Sequence, residues 1–279
     1  MSKLYIVPTP IGNLGDITLR SLETLKEVDL IACEDTRVTS KLLNYYKIKK
    51  PLINYREHNE REVSDIIIDK IKNGESVALV SDAGMPGISD PGEILIKKCI
   101  EKDILVSVLP GASALINALV SSGLDTRRFT FIGFLDKNKN KKRKELEMYK
   151  DRQETIIIYE SPHRIVDTLK AINEIFKDRS ISVSREISKL YEENIRGTAN
   201  DVLKYLSESK IRGEFVLVIS GKSIEEINAE IKESYENLTI KDHIIKEMAK
   251  GISKKEAINE VAKIRSIPKK EVYSESIDI

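Results

Sequence analysis

The chain contains no tryptophan, only two cysteines and only three histidines in 279 residues. Cys33 and Cys99 lie in separate apolar stretches without C-x-x-C spacing. A disulfide framework and a zinc site are therefore both excluded, and no metal is assigned. The two thiols read as reduced core residues of a cytoplasmic protein. An excess of charge of one sign is missing too: Lys plus Arg is 46 against 45 Asp plus Glu. Any anionic partner must then be argued from local placement. The one long run without charge, Ile104 to Leu124, is interrupted by Pro110-Gly111 after a β-branched segment. It reads as a buried strand, a tight turn and a buried helix, and no membrane span is expected. Met1-Ser2-Lys3 runs straight into strand-like Leu4–Val7, which leaves no room for a signal peptide. No G-x-G-x-x-G occurs. Gly221-Lys222-Ser223 imitates the end of a P-loop, but the required upstream glycine position holds Val216.

What is present is alternation. Short apolar runs alternate with longer amphipathic ones, the pattern of an α/β protein. Strands are expected at Leu4–Val7, Leu30–Cys33, Val77–Ser81, Ile104–Leu109, Thr130–Gly133, Thr155–Tyr159, Ile181–Ser184 and Phe215–Ser220. Helices are expected at Thr18–Lys26, Thr39–Tyr46, Glu60–Asn73, Glu93–Lys102, Ser113–Ser121, Arg164–Phe176 and Asn200–Ser207. The break at Ser121–Phe129 divides an α/β domain over residues 1–121 from a second over 122–222. Residues 223–279 form a charged linker helix, Ile224–Asn237, and a small helical tail. In the tail, Asp242–Ala249 reads as a helix closed by Lys250-Gly251, and Ser253 with Glu256 opens the next in a capping box. A helix-turn-helix and a plain αα-hairpin fit this pattern equally. His243 is placed on the surface of the first tail helix.

The richest segment for chemistry is Ser81-Asp82-Ala83-Gly84-Met85-Pro86-Gly87-Ile88-Ser89-Asp90-Pro91-Gly92. It follows a strand and precedes a helix, where open α/β sheets bind ligands. Three glycines and two prolines make a rigid, backbone-exposing wall, and Asp82 is placed to accept from a ribose or an amino group. Pro110-Gly111-Ala112-Ser113-Ala114 and Pro8-Thr9-Pro10-Ile11-Gly12-Asn13-Leu14-Gly15 are two further Gly/Pro loops after strands. Together the three make a small-molecule cleft the leading expectation.

These three loops resemble the tetrapyrrole methylase family. Glu34-Asp35-Thr36-Arg37, Glu57-His58-Asn59-Glu60, Tyr159-Glu160-Ser161-Pro162-His163-Arg164, Ser184-Arg185-Glu186 and Gly213-Glu214-Phe215 are similar to its branch acting on small-subunit ribosomal RNA. The likeness spans about residues 3 to 222, and Asp136 stands where that branch is expected to carry proline. The resemblance implies two α/β domains of the class III methyltransferase type with S-adenosylmethionine in the cleft between them. It also implies 2′-O-methylation of a cytidine ribose in the decoding region of 16S ribosomal RNA, acting on the small subunit, by a homodimer. Carried over residue by residue, the cofactor positions are Pro10, Asp82, Gly84, Ile88, Ala112, Ser113, Glu160, Glu214 and Phe215.

Removing the proton of a ribose hydroxyl needs a base or acceptor. Glu34, Asp35, His58 and Glu160 are the leading candidates, with His163 and Glu186 behind them; Asp35 reads equally as a helix N-cap paired with Arg37. For RNA, six of the eight residues from Lys137 to Lys144 are basic, and Lys137, Lys139, Lys141, Lys142, Arg143 and Lys144 are expected to grip phosphates from a flexible loop. The tail adds nine Lys plus Arg against four Asp plus Glu between Lys241 and Lys270. Two rival functions remain open: a tetrapyrrole methyltransferase of the same fold, and a ligand-binding regulator reading DNA through the tail.

Overall fold

The computed structural model describes residues 2–208 and 210–278. The first five strands are β1 (Leu4–Ile6), β2 (Leu30–Cys33), β3 (Leu52–Asn54), β4 (Val77–Val80) and β5 (Val106–Val108). They form one all-parallel sheet in the order β3-β2-β4-β1-β5. Strands β2 and β4 are buried at every position, as expected where both faces of a parallel sheet are covered. Alternate residues point to opposite faces. Leu4, Ile6, Leu30, Ala32, Val77 and Leu79 meet α3 (Glu60–Lys72) and α4 (Glu93–Glu101). Ile31, Cys33, Ala78 and Val80 meet α1 (Leu19–Glu27) and α2 (Thr36–Tyr45).

The second sheet comprises β6 (Phe129–Phe134), β7 (Thr155–Glu160), β8 (Ile181–Arg185), β9 (Glu193–Gly197) and β10 (Phe215–Ile219), in the order β6-β7-β10-β8-β9. Only β6 and β7 are parallel. One face packs on α6 (Lys139–Glu147), α7 (Ile165–Phe176) and α8 (Ala199–Ser207) through Leu146, Leu169, Ile172, Val202 and Leu206. The other face, with Ile157, Val216 and Val218, takes Ala118 and Leu119 of α5 (Ala114–Ser122). Helix α5 thus follows the first sheet in sequence but packs on the second. Both sheets belong to one compact unit ending at Ser220; a second begins at Gly221.

That second unit holds α9 (Ile224–Glu236), α10 (Ile240–Met248), α11 (Lys254–Arg265) and α12 (Lys269–Ser274). Ile244, Ala257, Ile258, Val261 and Val272 form its core. The Ser253–Glu256 capping box opens α11, and Gly251, at φ 90°, makes the turn before it.

Several expectations are corrected. The Lys137–Lys144 run is mostly not a loop: the Asn138 side chain accepts from the backbone of Asn140 and Lys141 and starts α6. His243 is not a surface residue. It is buried and stacks on Tyr235, and its Nδ1 accepts from Arg265 at 3.1 Å. Strands β3 and β9 lie at sheet edges, and their sequences, Leu-Ile-Asn and Glu-Asn-Ile-Arg-Gly, carry too little apolar alternation to be foreseen. Among the described residues no helix is long and apolar enough to cross a membrane; the uncharged run divides into β5 and α5.

Candidate functional site

Two of the three Gly/Pro loops are joined by backbone hydrogen bonds, and the third packs on the first. Thr9 and Gly84 exchange backbone hydrogen bonds, at 2.9 and 3.0 Å, in an isolated antiparallel bridge. The Thr9 hydroxyl donates to the carbonyl of Ser81, and the Ser81 hydroxyl to that of Gly84. Gly84 sits at φ 83°, a conformation that favours glycine. At Gly111 the requirement is space: a Cβ there would lie 2.2 Å from Cγ of Pro8. The loop after β5 therefore rests directly on the loop after β1.

A cleft of about 320 Å³ opens above these loops. Ile11, Glu34, the 82–85 and 88–90 segments, Ser113 and Ala114 line it from the loops after the first-sheet strands and the start of α5, and Phe134, Tyr159, Glu160, Glu186, Ile187, Lys189 and Glu214–Val216 from the second sheet and its loops. The Glu186 segment is held tightly. Glu186 adopts φ 51° and accepts from Lys189 Nζ at 3.0 Å. A Cβ on Gly213 would lie 2.0 Å from Glu186 Oε1, and one on Gly12 would lie 2.5 Å from Lys189 Cγ. Each glycine makes room for a cleft-lining side chain.

Of the cofactor candidates, Asp82, Gly84, Ile88, Ser113, Glu160, Glu214 and Phe215 line the cleft; Pro10 and Ala112 do not. The base candidates fare differently. Asp35 caps α2, accepting from the Arg37 backbone at 2.8 Å and from its guanidinium at 2.5 Å. Those bonds hold its carboxyl far below the usual range, so it is a weak base. Its own N–H donates to Asp82 Oδ1 at 3.1 Å. His58 and His163 are exposed and line no part of the cleft. Glu160 is 1 % exposed and already committed: it accepts from Ser161 N at 2.8 Å and Thr168 Oγ1 at 2.6 Å, with Arg164 Nε at 3.4 Å. Glu34 and Glu186 remain on the cleft wall. Burial, and then the neighbouring charge of Asp82, raise the Glu34 carboxyl above its ordinary value.

Lys142 departs most from expectation. It is 3 % exposed, and its Nζ donates to Thr168 Oγ1 at 2.7 Å and lies 3.9 Å from Glu160. Burial lowers its pKa, opposed by Glu160. It therefore braces the Glu160 wall from behind and cannot reach a phosphate. Lys137, Lys139, Lys141, Arg143 and Lys144 are exposed; Lys139, Lys141 and Arg143 pair with Asp167, Asp136 and Glu174.

Sequence reasoning missed two carboxylates. Asp90 lies in the quoted loop and lines the cleft. Burial first, and then Glu34, push its pKa up to about 7. Glu60, buried, accepts from Gly92 N at 2.8 Å and anchors the far end of that loop. In the sequence Glu60 is the last residue of Glu57-His58-Asn59-Glu60 and the first of an expected helix, with nothing to say that it turns inward.

Comparison with known proteins agrees with this arrangement. Residues 3–203 match the family model described as Tetrapyrrole (Corrin/Porphyrin) Methylases. A Bacillus subtilis protein named "Ribosomal RNA small subunit methyltransferase I" is 50 % identical over 273 residues, 98 % of this chain and 93 % of that one. A protein of the same name from Thermotoga maritima is 47 % identical over 222 residues, 80 % of this chain but 100 % of its own length. Among solved structures, the uroporphyrin-III C-methyl transferase from Thermus thermophilus complexed with S-adenyl homocysteine superposes with TM-score 0.55 at 16 % identity, covering 78 % of this chain and 97 % of that one. The chain belongs to the tetrapyrrole methylase family, in the group whose curated members carry the name ribosomal RNA small subunit methyltransferase I.

Proposed function

We propose that this chain is a ribosomal RNA methyltransferase that 2′-O-methylates a cytidine ribose in the decoding region of 16S RNA, within the small subunit and as a homodimer. The observation that carries the reading is half identity across 98 % of the chain with the Bacillus subtilis relative named for small-subunit RNA methylation. We read residues 1–121 and 122–222 as its two α/β domains and 223–279 as a helical appendage.

The cleft residues suit S-adenosylmethionine. Gly84, with φ 83°, presents bare backbone, while Ile88, Met85, Phe134 and Tyr159 supply apolar walls and Asp82 and Glu214 supply acceptors for hydroxyl or ammonium groups. When bound, the cofactor supplies a methyl group on a sulfonium. The chain's part is alignment, exclusion of water and acceptance of the hydroxyl proton. Lys137, Lys139, Lys141, Arg143 and Lys144 are the expected phosphate contacts, and the basic tail a second one.

The test is mass spectrometry of 16S RNA from cells with and without the protein, followed by restoration in vitro with small subunits and S-adenosylmethionine. Loss of one 2′-O-methylcytidine, restored by the purified protein, is expected. An unchanged 16S modification pattern overturns the reading.

A further inference from the structure

Four of the six base candidates fail on geometry: Asp35 is locked to Arg37, Glu160 is committed to Thr168 and Ser161, and His58 and His163 lie off the cleft. A fifth carboxylate, Asp90, lines the cleft beside Glu34 and Glu186. Asp90 follows Ser89, a non-glycine residue at φ 61°, and precedes Pro91. A strained residue on one side and a ring-fixed one on the other leave the Asp90 backbone little freedom. One residue further on, Gly92 is tied to buried Glu60, and at φ 152° it packs so closely that a Cβ would meet Leu79 at 3.0 Å. The rigid end of the loop therefore fixes Asp90 on the cleft wall.

Resting on the methyl-transfer reading above, we propose that Asp90 is the catalytic base that takes the proton from the attacking hydroxyl, with Glu34 tuning it. The proton passes from the hydroxyl to a carboxylate oxygen of Asp90 as the O–CH₃ bond forms and the S–CH₃ bond breaks. The positive charge of the sulfonium is thereby lost, and the proton remains on the protein until solvent takes it. A base serves best when its pKa lies near the working pH, and Asp90 is raised to about 7. The groups facing it are Glu34 after β2, Asp82 after β4, Glu214 before β10 and Tyr159 on β7; Ser81 opposes the rise. Lys189, a cation that also lines the cleft, is held by Glu186.

The experiment measures methyl transfer to small subunits from pH 5 to 9 for the wild type, Asp90→Asn, Asp90→Glu and Glu34→Gln, with S-adenosylmethionine affinity by calorimetry. Carbon NMR of aspartate-labelled protein reads the Asp90 carboxyl directly. Wild type should lose activity on acidification with a midpoint near 7, matched by a carboxyl resonance titrating there that is absent from D90N. D90N should lose about 100-fold or more in rate and the acidic limb with it, while D90E recovers part of the rate. Glu34→Gln removes a neighbouring negative charge, so the limb should move to lower pH with Asp90 intact. D90N with the wild-type limb, or E34Q with no limb at all, overturns the inference while leaving the methyltransferase reading standing. Wild type that transfers no methyl group to RNA at any pH overturns both.

Discussion

Glu60 Oε1 accepts a hydrogen bond from the backbone N–H of Gly92 at 2.8 Å, across 32 residues of sequence. The carboxylate starts α3 and the amide starts α4, so one buried bond joins two helices of the first sheet at the rim of the cleft. Removing it by Glu60→Ala leaves a buried donor unsatisfied, at a cost of about 1–3 kcal/mol. We expect a lower melting temperature together with weaker S-adenosylmethionine binding, because the same bond fixes the loop that carries Asp82. Glu60→Gln, which can still accept, should recover most of both. Thermal melting and calorimetry on the two variants check this; equal behaviour of Ala and Gln would mean that the bond does not hold the loop.

Gly111→Val gives a sharper result for the loop contacts. Its Cβ would fall 2.2 Å from the Pro8 ring, and neither backbone can yield without disturbing the Thr9–Gly84 bridge. Cofactor affinity should fall tenfold or more, about 1.4 kcal/mol. Gly123, at φ 77° with open space around its Cβ position, is the control: Gly123→Ala should cost backbone strain in stability but leave cofactor affinity unchanged when read by calorimetry.

Periodicity and turn residues in the sequence were enough to locate four of the five strands of the parallel sheet and the Gly/Pro loops. Runs such as Val77–Val80 are buried on both faces and flanked by turn formers, so local pattern and tertiary role coincide. The edge strands β3 and β9 were invisible because their sequences, Leu-Ile-Asn and Glu-Asn-Ile-Arg-Gly, are short or polar, whereas the edge strands β5 and β6 are apolar enough to be foreseen. The choice among the candidate bases was not legible for a different reason. Asp35, Glu160 and Asp90 are chemically alike in sequence, and only the partners that the fold supplies decide which carboxylate is tied to a cation and which is not. Arg37 lies two residues from Asp35 and was foreseen as its partner; Thr168 lies eight from Glu160, and Lys142 approaches it from another helix. The basic run misled because Asn138 caps a helix there, which turns Lys142 inward.

The C-terminal unit should show its own pH dependence. Burial first, and then the Arg265 charge, lower the His243 pKa, so the folded imidazole stays neutral where the unfolded one takes up a proton. Stability from this group is therefore complete above the unfolded value, about 6.5, and declines as pH falls toward the lower folded value. His243→Phe keeps a ring against Tyr235 but abolishes the titration. The melting-temperature gap between wild type and H243F should shrink from pH 7 to pH 5. A gap that is constant or widens would show that His243 carries its proton in the fold.

The last prediction separates two lysines that sequence treats alike. Lys144 is exposed on α6, whereas Lys142, two residues earlier, is buried against Thr168 beneath Glu160. Phosphate contacts made by exposed basic residues should each add roughly 0.7 to 0.9 to the slope of log affinity against log salt. Replacing Lys139, Lys141, Arg143 and Lys144 by Ser should flatten the slope for RNA by about two to three if most of the four engage phosphate. It should leave the melting temperature and the methylated position unchanged. Lys142→Ala should do the reverse. The RNA salt slope should hold, but Thr168 Oγ1 loses its buried donor and Glu160 keeps only Arg164 as a nearby cation, so stability should fall by about 1–3 kcal/mol. RNA binding across a salt series and thermal denaturation, run on both variants, check the two halves together. A slope flattened by Lys142→Ala alone would require α6 to open on RNA and expose a side chain that the free protein buries.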